Sequence, residues 1–310
     1  MKRFYIILTL LLTGFFLACG GATSVKKTPE HLAAGMKTTT KGISGYNKGC
    51  YYQALQYFFK AHELFSASDQ RSGVAMSLNN IGNVYRIVGD RESAVLFFDE
   101  SLRIYTELDD HSGIIQVLSN KAAFLIDGDQ LKEAENVLDT ADALAQKKGV
   151  FYGPLLNNRG ILFTRTKAYP NAEKILNTSF SKTKPEDLAA FATVNFALGK
   201  LMQATERFEK AVDFFNAALD ADRLAEFYKG MGDDLAAIGS VYASLGKNEL
   251  AVDFFKRSIK IYALIKSEKN VRDILEQLEN LAKKSGVDIS VTTHFVGLWL
   301  EGKATETLCK

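Results

Sequence analysis

This chain of 310 residues is short of the residues that break helices or staple small folds, with 4 prolines and 3 cysteines. Scarce proline permits long uninterrupted helices. The cysteines, Cys19, Cys50 and Cys309, offer neither a C-x-x-C pair nor metal-ligand spacing. Excess charge is also lacking. The formal net value is +2, and removing residues 1–18, with Lys2 and Arg3, leaves 36 basic against 36 acidic residues. Without a basic block, binding to a phosphate backbone has no electrostatic source, so no nucleic-acid partner is expected. A membrane contact held by charge alone is excluded for the same reason. Catalytic signatures are missing too: there is no G-x-S-x-G, no phosphate loop and no H-E-x-x-H. His31, in the N-terminal linker, and His62, His111 and His294 stand apart, with no pair at metal spacing. Asp127-Gly128-Asp129 opens like a calcium loop but lacks the later acidic ligands. It reads instead as an inter-helix turn in which Asp129 caps the next helix. Asp109-Asp110 and Asp233-Asp234 read as solvated turn acids. No enzyme activity, cofactor or metal is expected.

What is present is a 47% share of hydrophobic residues, enough for a large core. Much of it falls in a pattern that is clearest over Ala75–Ser101. There Leu78, Ile81, Gly82 and Tyr85 share one helical face, and after Gly89-Asp90 so do Ala94, Phe98 and Ser101. Gly82 and Ala94 leave gaps, while Tyr85 and Phe98 fill them, as two closely crossing helices require. The small residue recurs at Gly42, Gly82, Ala122, Gly160, Gly199 and Gly239. An alanine twelve residues later recurs at Ala54, Ala94, Ala134, Ala172, Ala211 and Ala251. Then come Phe58, Phe98, Leu138, Leu176, Phe215 and Phe255, and a closing Ala61, Ser101, Ala141, Ser179, Ala218 and Ser258. The period is 38 to 40 residues.

These residues resemble the tetratricopeptide repeat (TPR), in a subclass of longer period. The resemblance implies an all-α fold: a right-handed superhelical solenoid of about six helix pairs. The pairs are expected near 35–68, 75–108, 115–148, 153–186, 192–225 and 232–265. Thr38, Thr39 and Thr40 make the first helix the weakest. Val271, Ile274, Leu275, Leu278 and Leu281 line one face of a capping helix that ends at Gly286. Domain boundaries are therefore placed at 1–18, 19–34, 35–285 and 286–310. In the last segment Val287, Ile289 and Val291 alternate like a strand, and the apolar stretch through Trp299 is expected to fold back on the capping helix. Cys50 and Cys309 lie at opposite ends of the array, so they are expected to remain separate thiols or to bond between molecules.

The N-terminus begins Met1-Lys2-Arg3 and continues with an apolar run to Ala18, too short to span a bilayer comfortably. Ala18-Cys19-Gly20 closes it and resembles the bacterial lipobox, whose cysteine is lipidated after cleavage. That resemblance implies a signal peptide over 1–18, acylation (palmitate among the chains) at Cys19 and a tether over 19–34. It further implies the cell envelope and, in a Gram-negative host, the outer membrane facing the periplasm.

The candidate binding surface is the inner face of the first helices. Asn80, Asn120 and Asn158 stand two residues before the small residue in three consecutive repeats. An amide donates and accepts at once, so this ladder suits an extended peptide backbone. Asn79, Asn83, Gln116, Ser119 and Asn157 lie beside it, and Arg86 and Arg165 are placed to take a carboxylate. Ala197 and Ala237 fill the equivalent places later, so the polar groove is expected to fade toward the C-terminus. The function expected is a membrane-anchored adaptor that binds a peptide or partner protein. The alternative is a small-ligand or transport-accessory lipoprotein with an enclosed apolar pocket.

Overall fold

The computed structural model describes residues 29–303 and Cys309. The signal peptide, Cys19 and most of the expected tether lie outside the described residues. The first repeat is α1 (Glu30–Asn47) with α2 (Tyr51–Ala67), the second α3 (Arg71–Val88) with α4 (Arg91–Glu107), and the third α5 (His111–Asp127) with α6 (Leu131–Lys148). The fourth is α7 (Gly153–Arg165) with α8 (Tyr169–Lys182), the fifth α9 (Leu188–Ala204) with α10 (Phe208–Leu224), and the sixth α11 (Tyr228–Ser244) with α12 (Asn248–Leu264). Then come α13 (Glu268–Ser285), the capping helix, and α14 (Ser290–Leu300). The protein is an all-α solenoid, with no strand among the described residues.

The expected crossing contacts form in every repeat. A Cβ added at Gly82 would lie 2.7 Å from Phe98, one at Gly42 2.5 Å from Phe58, and one at Gly199 2.5 Å from Phe215. The third repeat has Ala122 in place of glycine and Leu138 in place of phenylalanine, and both are fully buried. One extra methyl on the first helix is thus matched by a smaller side chain on the second. The closing position also has a defined role. The Ser101 hydroxyl donates to the Ala75 carbonyl at 2.7 Å, and Ser258 donates to Gly232 at 2.8 Å. Tyr85 stacks on Phe97 and Tyr242 on Phe254.

The four prolines stay out of helix interiors. Pro29 caps α1, Pro154 and Pro170 sit in the first turns of α7 and α8, and Pro185 lies between α8 and α9. Most connections pass through a left-handed residue, such as Gly89 at φ 85° or Asp129 at φ 59°.

Within α1 the Thr38, Thr39 and Thr40 hydroxyls each bond the carbonyl four residues back. Several expectations are corrected. α1 begins at Glu30, so residues 30–34 are helix rather than tether, and His31 lies in it. Asp129 does not cap α6; its left-handed backbone carries it away, and it accepts from Arg165 at 2.7 Å. Val291 is helical, and Val287 and Ile289 lead into that helix rather than forming a strand. α14 packs on α12, with Val296 buried in the sixth-repeat core. The tail thus packs on α12 rather than chiefly on the capping helix, and Val291 and Phe295 stay exposed.

The largest correction concerns Cys50 and Cys309. They form a disulfide, with Cα atoms 5.3 Å apart and 259 residues between them in sequence. Six repeats bring the solenoid round so that the α1–α2 turn meets the α10–α11 and α12–α13 turns. Tyr46 stacks on Phe227 at 6.1 Å, Lys48 pairs with Glu226 at 3.0 Å, and Gly49 presses on Ile265. Distance in sequence therefore does not mean distance in space here. A loop this long constrains the unfolded chain by roughly 5 kcal/mol in chain-entropy terms.

Gly199→Ala is expected to cost about 1–3 kcal/mol by overpacking against the buried Phe215 ring. Adding Phe215→Leu should make the double variant more stable than the two single losses together imply. Urea unfolding of the four chains checks this, and strict additivity would refute the contact.

Candidate functional site

Neighbouring first helices pack on one another, α3 on α5, α5 on α7, α7 on α9 and α9 on α11, and neighbouring second helices do not pack in this way. The first helices therefore form the inner row of the curve. The second helices face outward, with Tyr52, Leu96, Leu224 and Leu250 exposed.

The asparagines lie on that inner row, and three of the six, Asn79, Asn120 and Asn158, join helices. The Asn120 amide donates to the Asn79 carbonyl oxygen at 2.9 Å. The Asn158 amide donates to the Ser119 backbone carbonyl at 2.8 Å and to its hydroxyl at 3.0 Å. In each case the residue two before the small position reaches the residue three before it in the preceding repeat. The next rung would need a donor at residue 197. Ala197 has none, and the Oδ1 of Asn157, itself 1% exposed, is left buried without a partner. Asn80 and Asn83 are half-buried on the same face and stand outside these rungs. Gln116 lies beside Tyr152.

The arginines are already paired. Arg86 donates to Asp127 at 2.8 Å and Arg165 to Asp129 at 2.7 Å. Burial works against the charge on Arg86, but Asp127 and Tyr46 outweigh it and raise its pKa. Across the seam α11 supplies a matching pair, Lys229 donating to Asp233 at 2.6 Å. Tyr262 donates to the same carboxylate at 2.6 Å. Burial disfavours the Lys229 ammonium, and Asp233 reverses this and raises its pKa. Tyr51, 8% exposed, has a hydroxyl with no partner, and burial, reinforced by Tyr46 and Asp233, pushes its pKa up. Lys200 is exposed by area, yet surrounding protein, with Arg165 adding to it, pulls its pKa down against Asp233. The inner face thus does not fade toward the C-terminus. α9 and α11 bring charge where Ala197 and Ala237 bring none.

Asp233 and Asp234 are not solvated turn residues, because α11 starts before them. Asp234 is 1% exposed and lies beside Asp222, itself 5% exposed. Burial first, then the neighbouring carboxylates, holds both well above the ordinary carboxylate range. Sequence alone marked Asp233-Asp234 only as an acid pair; the signal available was its place one turn inside a helix start. Arg159 was also missed. It is 6% exposed and binds Asp142 and Asp139 of α6 at 2.6 and 2.7 Å.

Among the described residues no cluster of three or more His, Cys, Asp or Glu is placed to hold a metal, and no helix is long and apolar enough to cross a membrane. A surface depression of about 390 Å³ lies between Gly246–Leu250 and Ser285. It is open and part polar, unlike the enclosed apolar pocket that the small-ligand alternative expects.

Family models described as tetratricopeptide repeat match residues 41–107 and 235–263. No curated protein sequence matches the chain. Among solved structures, the chain is similar to the Rap conjugation gene regulator of the plasmid pLS20 in complex with the Phr* peptide. The identity is 15%, the TM-score 0.54, and 88% of this chain and 83% of that one are covered. A Rap protein complexed with competence and sporulation factor matches at 15% identity and TM-score 0.53, covering 83% and 77%. NprR in complex with its cognate peptide NprX matches at 14% and 0.51, covering 86% and 82%. At such identities the likeness is one of fold.

Two outcomes follow from this arrangement. Asn120→Ala should cost about 1–3 kcal/mol, because it strands the buried Asn79 oxygen; unchanged thermal unfolding would contradict the rung. The buried acid pair carries a pH signature. Its folded-state pKa values are raised, so the folded chain keeps protons that the unfolded chain releases above about pH 4. Its stabilising effect is therefore complete below that pH and is lost as pH rises toward the raised values. Asp234→Asn should flatten the fall in Tm between pH 5 and pH 8.5, as followed by circular dichroism. An unaltered slope would show that the pair does not titrate this way.

Proposed function

This chain is a tetratricopeptide-repeat protein, and we propose that it is a membrane-anchored scaffold binding an extended peptide or partner protein along its inner face. The observation that carries the reading is the division of labour on that face. Asn79, Asn120, Asn158 and Ser119 tie helices together, whereas Asn80, Asn83 and Lys200 stand on the same row outside those ties. Side chains of that kind suit a peptide backbone and an acidic group on the ligand. Support also comes from the solved neighbours, two of which hold a peptide and a third a competence and sporulation factor on the same kind of fold. The anchor reading rests on the N-terminal sequence, in which Ala18-Cys19 closes a short apolar run after two basic residues. An acylated Cys19 would hold the body near the membrane, since several chains anchor stably where one is marginal. The role proposed is assembly or recruitment in a bacterial envelope, on the periplasmic side of the outer membrane in a Gram-negative host.

Two measurements test this. Cys19→Ala should move the protein from the membrane fraction to the soluble one, and persistent membrane association would remove the anchor. Combined Asn80→Ala, Asn83→Ala and Lys200→Ala should lower partner capture from envelope extracts at least fivefold with helicity unchanged. Equal capture would remove the inner face as the site.

A further inference from the structure

The seam where the first repeat meets the fifth and sixth is thin. No helix of the first repeat packs along α10, α11 or α12 among the described residues. Among the described residues the noncovalent closure includes a solvent-exposed ion pair, Lys48–Glu226, a ring stack, Tyr46–Phe227, and the contact of Gly49 with Ile265. Against these stands one covalent bond, between Cys50 and Cys309. The same seam brings Lys229 and Asp233 opposite Arg86 and Asp127, so closing it also crowds the inner face.

We propose that the Cys50–Cys309 disulfide is a redox latch: when formed it holds the solenoid closed, and its reduction lets the first repeat move away and opens the inner face to a partner. The two sulfurs are unequal in a way that suits exchange. Cys50 is 4% exposed at the N-cap of α2, while Cys309 is partly exposed. An external dithiol therefore attacks through the Cys309 sulfur. A thiolate forms the new S–S bond to Cys309, the old S–S bond breaks, and Cys50 leaves as thiolate. Cys50 stands at the N-terminal end of α2, where the helix dipole favours negative charge, although its sulfur lies 3.9 Å from the Lys48 carbonyl and makes no cap bond. The second thiolate of the dithiol then attacks the mixed disulfide and frees Cys309. The protein disulfide gains two electrons and two protons, and the dithiol becomes a disulfide. The opening is independent of the function proposed above; only the claim that a partner then enters rests on it.

The test uses the full-length protein in detergent. Peptide mapping without reductant should find the Cys50–Cys309 cross-link, and its absence would overturn the latch. Hydrogen exchange and X-ray scattering then compare oxidised protein, dithiol-treated protein and Cys309→Ser. Reduction and the substitution should both speed exchange at least threefold in the α1–α2 and α10–α11 turns. They should also increase the radius of gyration and leave α5–α8 unchanged. Identical exchange and radius in oxidised and reduced wild type would refute the latch, whatever the variant does. Partner capture from extracts, compared before and after reduction, separates the two readings. Opening with no gain in capture would leave the latch standing and count against the inner-face function.

Discussion

The distance between the two helices of each repeat is set by one contact, a ring or leucine resting on a position with no room for a side chain. Gly42 against Phe58, Gly82 against Phe98 and Gly199 against Phe215 bring the helix backbones close. Ala122 against Leu138 keeps the same crossing with the volume redistributed. In a solenoid each unit touches only its neighbours, so a small rotation fixed at each crossing adds up along the chain. By the sixth repeat the accumulated rotation has returned the end of the array to the α1–α2 turn. The seam, the disulfide and the crowded inner face are consequences of that sum.

Polar groups on the inner row show the same dependence on neighbours. The amide rungs run from α3 to α7 and stop at Ala197, which leaves the Asn157 oxygen orphaned. Beyond that point the Gln203 amide donates to the Ser240 hydroxyl at 3.0 Å, joining α9 to α11, and charged groups lie beside it. Lys229, Asp233 and Tyr262 form one network, and Asp222 and Asp234 lie buried next to it with raised pKa values. Buried polar atoms without a partner lie in both halves, Tyr51 and Arg86 in one and Asn157 and Asp234 in the other, but the raised acid pair places the pH dependence of stability in the C-terminal half. The disulfide joins the chain end to the first repeat, opposite this half.

The repeat was legible in sequence because each helix crossing selects residue size at a fixed spacing. That is why Gly82, Ala94, Phe98 and Ser101, and their equivalents, could be assigned before any coordinates. The capping helix was legible from the apolar face carried by Val271, Ile274 and Leu278, which the structure buries. The inner-row asparagines were legible as a ladder, but not their partners. An amide at the right spacing bonds a ligand or the next helix equally well, and only the inter-helix distance chooses between them. Val291 misled because a short apolar alternation carries too few residues to separate a strand from a helix packed on one side.

Sequence by itself determined the local matters: which segments are helical, where they turn and which residues cross. Those depend on side-chain size and backbone propensity within one repeat. Tertiary structure alone decided that Cys50 meets Cys309, that Tyr46 meets Phe227, and that Asp234 is buried rather than solvated. The first two depend on the rotation accumulated over six repeats and the third on how α11 packs on α10, and no single repeat encodes either.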